Sequence, residues 1–327
     1  MQETKEHRLP VLAIDLGGTN IRPALISDKG ELIAKNYSPT LASQGPPAVI
    51  DRIFSAIDSL LSSASMSLSQ LHSISVAAAG AINTEEGIVT LSPRLPGWHD
   101  IPLRGIVTER YGVRTFLVND ANAAALGEHC FGAGKGVSNL IYLTVSTGIG
   151  GGIIIDNKLY SGQCGSAGEI GHMTIDVNGP RCNCGNTGCL EMLASGTAVA
   201  REAIRRIGCG EKSALTGMMG GKIEDITAKE VSVAAQSGDS LALEVISQAA
   251  TYLGIGLVNL VNIFNPEMII IGGGLSKMGD LLLEPVRRVV AERAFPLSAQ
   301  AVRIVPAQLG DDAGVFGAAV FAWQQGQ

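Results

Sequence analysis

Apolar runs that stop at glycine turns alternate along this chain with stretches whose apolar residues recur every third or fourth position. Val11–Asp15 reads as a strand, Gly17-Gly18 as a turn and Ile21–Ile26 as a second strand. Val49, Ile50, Ile53, Ile57, Leu60 and Leu61 share one face at helical spacing. Ile74–Ala79 is a strand closed by Gly80, and Thr115–Val118 is another, followed by a helix from about Ala121. Leu140–Val145 and Gly152–Ile155 flank a second glycine turn. Thr197–Arg206 is helical and stops at Gly208. Met268–Ile271 is a buried strand running into Gly272-Gly273-Gly274, and a last helix covers about Gly314 to Trp323. This alternation predicts the α/β class.

Two features of the pattern add to this. LAIDLGGTNIRPALI (Leu12–Ile26) and YLTVSTGIGGGIII (Tyr142–Ile155) echo one another as strand, polar and glycine-rich turn, strand, as if each half presents one hairpin. Val245 to Pro266 carries no charged residue and is roughly long enough to span a bilayer. Its Ser247, Gln248, Asn259 and Asn262, and the helical spacing of its apolar residues, make it a buried helix instead.

Composition narrows the partners. At 327 residues and 46% hydrophobic, the chain can bury real cores, so neither metal nor disulfide is needed for bulk stability. The net charge is -6 and no Lys/Arg run exceeds two residues, which argues against a nucleic-acid surface. The polar start MQETKEHRLP holds no signal segment, so a cytoplasmic location and no membrane partner are expected.

The glycine turns carry the first candidate chemistry. Glycine lets successive backbone N–H groups approach an anion closely. Asp15-Leu16-Gly17-Gly18-Thr19-Asn20 adds a carboxylate for a metal, plus hydroxyl and amide donors. Ser146-Thr147-Gly148-Ile149-Gly150-Gly151-Gly152 offers a similar turn without the acid. Two such turns and one acid suit a polyphosphate with Mg²⁺. Neither the P-loop spacing nor the dinucleotide fingerprint occurs.

The second candidate is CNCGNTGC, where three of the six cysteines fall between Cys182 and Cys189. Disulfides are rare in a reducing compartment, and the one-residue gap between Cys182 and Cys184 would strain one. The Cys-x-x-Cys spacing of redox sites is absent. His172 supplies a fourth ligand, giving a closed Cys₃His set with Cys182, Cys184 and Cys189, hence a structural zinc site. Cys130, Cys164 and Cys209 are scattered core or surface thiols. Glu169 precedes His172 by three residues and Glu191 follows Cys189 by two. The metal loop would fix both carboxylates beside an imidazole, an arrangement suited to a polyhydroxyl ligand such as a sugar. The alternative is that both glutamates simply face solvent.

These motifs together resemble the ROK family (repressors, open reading frames and kinases) over essentially the whole length. The resemblance lies in DLGGTNIRPAL (Asp15–Leu25), VNDANAAALGE (Val118–Glu128), LTVSTGIGGG (Leu143–Gly152), GEIGHM with CNCGNTGCLE (Gly168–Glu191), IIIGGGLS (Ile269–Ser276) and GDDAGVFGAA (Gly310–Ala319). It implies the actin/hexokinase-like (ribonuclease H-like) fold: two α/β domains with an interdomain active-site cleft. Residues 1–118 and the C-terminal helix, about 311–327, would form the smaller domain, and 119–310 the larger one with the zinc loop. Asp120 resembles the base that takes the proton from a sugar 6-hydroxyl. Asn119, Glu169, His172 and Glu191 resemble sugar ligands, with Gly80 close by. Asp15 resembles the Mg²⁺-side acid. Gly17, Gly18, Thr19, Asn20, Thr147 and Gly148 would serve the phosphates of ATP, and Gly273 and Gly274 the adenosine.

Three departures stand out. Pro23 falls in the second strand of the first hairpin, where proline predicts local irregularity. Ser146 stands where the family often has glycine. AAAGAIN (Ala77–Asn83) replaces the family's frequent Gly-x-Pro-Gly-x-Val-Asp on the sugar side.

The activity implied is ATP-dependent phosphorylation of a hexose at its 6-hydroxyl, with glucose first. N-acetylglucosamine, N-acetylmannosamine, mannose, fructose and allose are the alternatives, and polyphosphate is an alternative donor. Repressors of the family carry a helix-turn-helix domain of roughly 60–80 residues ahead of the first hairpin. Only fourteen residues precede Asp15, so DNA binding is not expected. A homodimer or homotetramer is expected from the resemblance.

Overall fold

The computed structural model describes residues 9–325. They divide into two compact units. The first holds the chain up to Gly136, Gly152–Ala167 and the chain from Asp311; the second holds Val137–Gly151 and Gly168–Gly310.

The first unit begins with β1 (Val11–Leu16), β2 (Asn20–Ile26), β3 (Leu32–Lys35) and β4 (Ser38–Pro39), followed by α1 (Pro46–Ser63). Then come β5 (Ser73–Ala78), a three-stranded sheet of β6 (Ala81–Asn83), β7 (Ile88–Leu91) and β8 (His99–Ile101), and α2 (Leu103–Tyr111). β9 (Thr115–Asn119) runs directly into α3 (Asp120–Phe131). The main sheet has the order β3-β2-β1-β5-β9, with β4 beside β2. Ile14, Leu16 and Val76 of this sheet pack with Ile53, Ile57 and Leu60 of α1 in one apolar core, and all six are fully buried.

Pro23 does not disturb the first hairpin, contrary to the sequence expectation. It pairs in register with Ile14, and the shift in β2 lies later, between Leu25 and Ile26 against β3. β4 pairs with Asn20 and Ile21 and β3 with Ala24 onward, so Pro23 falls between the two. Its carbonyl still accepts from Asn36 N–H at 3.0 Å, so the missing donor leaves the pairing on that side in place.

β10 (Leu140–Val145), β11 (Ile149–Ile155) and β12 (Lys158–Leu159) open the second sheet, and along β11 the chain passes from the second unit back into the first. The second unit continues with α4 (Leu190–Ala194), α5 (Gly196–Gly208), α6 (Ala214–Met218), α7 (Ala228–Gln236) and α8 (Ser240–Phe264). β13 (Met268–Gly272), α9 (Asp280–Arg293), α10 (Pro296–Ala301) and β14 (Arg303–Pro306) complete it. α8 is apolar and long enough to cross a membrane by composition alone, but it packs against α4, α5, α7 and α9 as a core helix.

The chain ends on α11 (Ala313–Gln325), which packs on α3. Glycine makes this contact possible: a Cβ at Gly317 would lie 1.5 Å from the Ala123 carbonyl oxygen, and one at Gly127 would lie 2.4 Å from that of Ala313. This packing is why the first unit extends to Gly136, whereas the sequence reading changed domain at residue 118.

The second sheet has the order β12-β11-β10-β13-β14. With β4 left aside and the strands numbered within each sheet, both read third, second, first, fourth, fifth. β1, β5 and β9 are parallel, as are β10, β13 and β14. Leu16 pairs with Ala78 and Ala78 with Asn119, so the C-terminal ends of three strands stop side by side. In the second sheet Thr144 pairs with Gly272. Parallel sheets present ligand sites beyond such ends. The two glycine turns, Gly80, Asp120 and Gly273-Gly274 all follow one of them.

Candidate functional site

In the first unit, Gly17 N–H donates to Asn20 O at 3.0 Å and closes the β1–β2 turn, so that donor is spent inside the turn. Buried Thr40 braces it: its N–H donates to Thr19 O at 2.8 Å and its hydroxyl to Gly17 O at 2.7 Å. Asn20 Oδ1 accepts from the Tyr37 hydroxyl at 2.6 Å. A Cβ on Gly18 would lie 2.7 Å from the Arg94 carbonyl oxygen, which explains the glycine there.

Asn119 caps α3. Its Oδ1 accepts from the N–H groups of Ala121 and Asn122 at 2.9 and 3.0 Å, and its Nδ2 donates to Gly80 O at 3.0 Å. That amide ties the end of β9 to the loop after β5. Gly80 sits at φ +115°, and a Cβ there would lie 2.3 Å from Leu91 O, so only glycine fits. Asp120, the first helical residue, receives the Ala121 N–H on Oδ1 at 2.9 Å. Position at a helix N-terminus favours its carboxylate.

Asp15 Oδ2 accepts from Arg22 Nη1 at 3.1 Å. Burial, then the nearby charge of Asp120, push the Asp15 carboxyl up to about 6; Arg22 opposes the rise and Asp311 adds to it. Gly314, at the start of α11, lets the helix approach, since a Cβ there would meet Asp15 Cγ at 3.2 Å. Three acids and one guanidinium thus converge on the end of β1. Mutually repelling carboxylates of this kind fit a divalent cation. Asp311 and Gly314 belong to a motif quoted for the resemblance, but no spacing in the sequence assigns them to Asp15.

In the second unit, Ser146 N–H donates to Gly148 O at 2.8 Å, and Ser146 O accepts from Gly196 N–H at 2.7 Å. Thr147 O accepts from the Thr197 hydroxyl at 2.8 Å. Gly273, at φ +84°, would press a Cβ to 2.5 Å from Val145 O. Beside these turns lies a cavity of about 810 Å³ lined by Thr147, Thr197, Lys229, Ser232, Gly274 and Lys277, among others. The sequence pointed to Thr147 and Gly274. It gave no signal for Thr197, Lys229, Ser232 and Lys277, which come from α5, α7 and the turn after β13.

Glu191 Oε2 accepts from Ile149 N–H at 2.8 Å, so this carboxylate clamps the end of the β10–β11 turn. Glu169 Oε2 is 3.9 Å from His172 Nε2. The other imidazole nitrogen, Nδ1, lies 3.7 Å from Cys182 Sγ, and Cys184 Sγ lies 3.7 Å from Cys189 Sγ. The four ligand atoms of His172, Cys182, Cys184 and Cys189 all fall within 4.8 Å of one another. A tetrahedral zinc with Zn–S about 2.3 Å would set sulfurs about 3.8 Å apart, so the set fits zinc. All six cysteines are free thiols. The loop folds tightly to gather them: a Cβ on Gly188 would lie 1.6 Å from Asp176 O, and Cys182 N–H donates to Asn186 O at 2.7 Å. Burial pushes the Cys189 thiol up to about 12, a cost that a bound cation would remove.

The ROK family profile matches residues 11–325. The chain belongs to the ROK family. A glucokinase of Thermotoga maritima is 38% identical over 312 residues, covering 95% of this chain and 96% of the relative. A xylose repressor of Caldicellulosiruptor bescii is 37% identical over 307 residues, covering 94% of this chain and 76% of the repressor. Among solved structures, a ROK family glucokinase from Streptomyces griseus in complex with glucose and AMPPNP has a TM-score of 0.85 and 34% identity, covering 96% of this chain and 99% of that one. The fold of this ROK protein is therefore the actin/hexokinase-like one, and its Cys₃His cluster is typical of the ROK zinc site.

Proposed function

We propose that the protein is an ATP-dependent hexose kinase that phosphorylates the 6-hydroxyl of glucose. The placement of Asp120 carries the reading: a carboxylate at the first turn of a helix, held by the Asn119 cap, beside the buried acid Asp15. It is supported by likeness to the Streptomyces griseus glucokinase whose structure holds glucose and AMPPNP.

In this reaction Asp120 accepts the proton of the 6-hydroxyl as the sugar oxygen bonds to the γ-phosphorus. The bond from that phosphorus to the β–γ bridging oxygen breaks, and ADP leaves. Asp15 would hold Mg²⁺, with Asp311 close by, and the ion would neutralise phosphate charge. The cavity beside Thr147 and Gly274 would take the nucleotide, with Lys229 and Lys277 on its wall. Glu169, His172 and Glu191 would bind sugar hydroxyls. Zinc on His172 Nδ1 and the three thiolates would leave no position open for water, so its role is to hold this loop. With Nδ1 turned to the metal, His172 Nε2 remains for a hydroxyl.

A second reading, a sugar-responsive regulator, is supported by the xylose repressor's similarity. One coupled assay separates them: a panel of hexoses and N-acetylhexosamines with ATP or polyphosphate and Mg²⁺. Turnover should be greatest with glucose and ATP. Sugar binding without turnover of any hexose would overturn the kinase reading.

A further inference from the structure

The first unit contains a second cavity, of about 840 Å³, apart from the groups described above. None of Asp15, Gly80, Asn119 or Asp120 lines it. Its walls come from β6, the outer strand β9, the 161–166 loop and the last turn of α11. Because β9 ends its sheet, its outward N–H and C=O groups have no strand partner among the described residues.

Two side chains on this wall carry unused binding capacity. Arg104 donates Nη1 to Thr84 O at 3.4 Å, and Arg114 donates Nη2 to Gln325 O at 3.1 Å. Neither forms an ion pair with a carboxylate among the described residues, and each keeps most of its N–H donors. The Arg114 guanidinium sits over the Phe116 ring, 4.9 Å from its centroid, so it is positioned rather than loose. Among the described residues Glu85 is the one carboxylate on the lining, against the two arginines.

We infer that this cavity is a second binding site, for a small phosphorylated sugar, with the phosphate on Arg104 and Arg114. Guanidinium groups suit phosphate through paired N–H donors. The hydroxyls of such a ligand would also meet the free edge of β9 and the polar 161–166 loop. The site rests on the proposed kinase function in one respect only: hexose 6-phosphate is the product of that reaction, and therefore the natural first probe.

The test is calorimetric titration of the full chain with glucose 6-phosphate while glucose and a non-hydrolysable ATP analogue are present at saturation. One molecule should still bind. Arg104→Gln and Arg114→Gln should each weaken it about tenfold, the worth of a hydrogen bond to a charged group. Both variants should keep the wild-type melting temperature within a few degrees and wild-type turnover. Should either fail to fold, Arg104→Lys or Arg114→Lys takes its place, keeping the charge but weakening the bidentate contact. No binding under saturation, or binding indifferent to both arginines, would overturn the site. Inorganic phosphate binding as tightly as the sugar phosphate would overturn the sugar-recognising half. Failure to turn over any hexose would instead sink the kinase reading, and the binding result would stand apart from it.

Discussion

The hairpin β1–β2 and the hairpin β10–β11 open two sheets of the same main strand order, yet only the first has charged residues of its own, while Glu191 clamps the second from α4. Asp15 stands at the first with Arg22, Asp120 and Asp311 acting on it. At the second, Ser146, Thr147 and Gly148 offer only backbone and hydroxyl groups beside a cavity whose cations come from distant helices and turns. A repeated scaffold thus delivers strand ends twice, and the side chains decide what each does. The acidic end suits a metal and a proton acceptor; the neutral end suits a nucleotide held mainly by close backbone approach.

The largest effect should come from the acidic end. Asp120→Asn keeps the size of the side chain but removes the proton acceptor. Turnover should fall about 10²–10⁴-fold while the glucose dissociation constant barely moves. Retained turnover would show that Asp120 is not the base.

Asp15→Asn should lower turnover about 10²-fold by weakening Mg²⁺ binding, and it should act oppositely on stability. The Asp15 carboxyl titrates near 6 in the folded protein, against 3.8 for the ordinary group. Below about pH 3 both states hold the proton and Asp15 contributes nothing. As pH rises towards 6 the unfolded chain releases its proton first, so wild type loses stability, by at most about 3 kcal/mol above pH 6. In the metal-free protein Asp15→Asn should therefore melt higher than wild type at pH 7, with the difference vanishing towards about pH 3. Equal melting temperatures at both would mean that the acid is not strained by its neighbours. The neutral end has no counterpart to this trade.

The zinc loop should give a smaller, mainly structural effect. Cys184→Ser, or removal of metal by a chelator, should lower the melting temperature by several degrees and weaken glucose binding, because Glu191 and His172 lose their anchor. Metal analysis should show one zinc per chain before treatment. Unchanged glucose affinity after metal loss would limit the ion to holding the loop together.

The hairpins, the helix from Asp120 and the zinc ligands were legible because each depends on neighbours close in sequence. Cys182 to Cys189 and His172 are local, and so is the glycine stop after each strand. The repeated strand order was visible only as an echo of Leu12–Ile26 in Tyr142–Ile155. What escaped was long-range: Lys229, Ser232 and Lys277 at the cavity beside Thr147 and Gly274, and Asp311 and Gly314 against Asp15. These meet the turns through α7, the turn after β13 and the segment that opens α11, placements that no periodicity in the sequence encodes. The roles also sharpened. Asn119 spends its amide on a helix cap and on Gly80, and Glu191 spends one oxygen on Ile149, so both position the site besides any contact with sugar. Pro23 misled because its effect depends on what faces it, and here it lies between the β4 and β3 pairings with its carbonyl held by Asn36 N–H.

The smallest effect should come from Ser146→Gly. The backbone of this residue does the structural work at the neutral end: its N–H reaches Gly148 O and its carbonyl receives Gly196 N–H. A glycine can make both bonds. The side chain adds only a hydroxyl to the cavity wall. Removing it should cost about 0.5–1 kcal/mol through the freer backbone of glycine. KM for ATP should then move less than about threefold, since no charge is lost. The same comparison at the acidic end, where Gly18→Ala would drive a methyl to 2.7 Å from Arg94 O, should be far worse tolerated. If Ser146→Gly instead changed KM for ATP tenfold or more at unchanged stability, the neutral turn would be working through its side chain. The contrast between a charged and a backbone-built strand end would then fail.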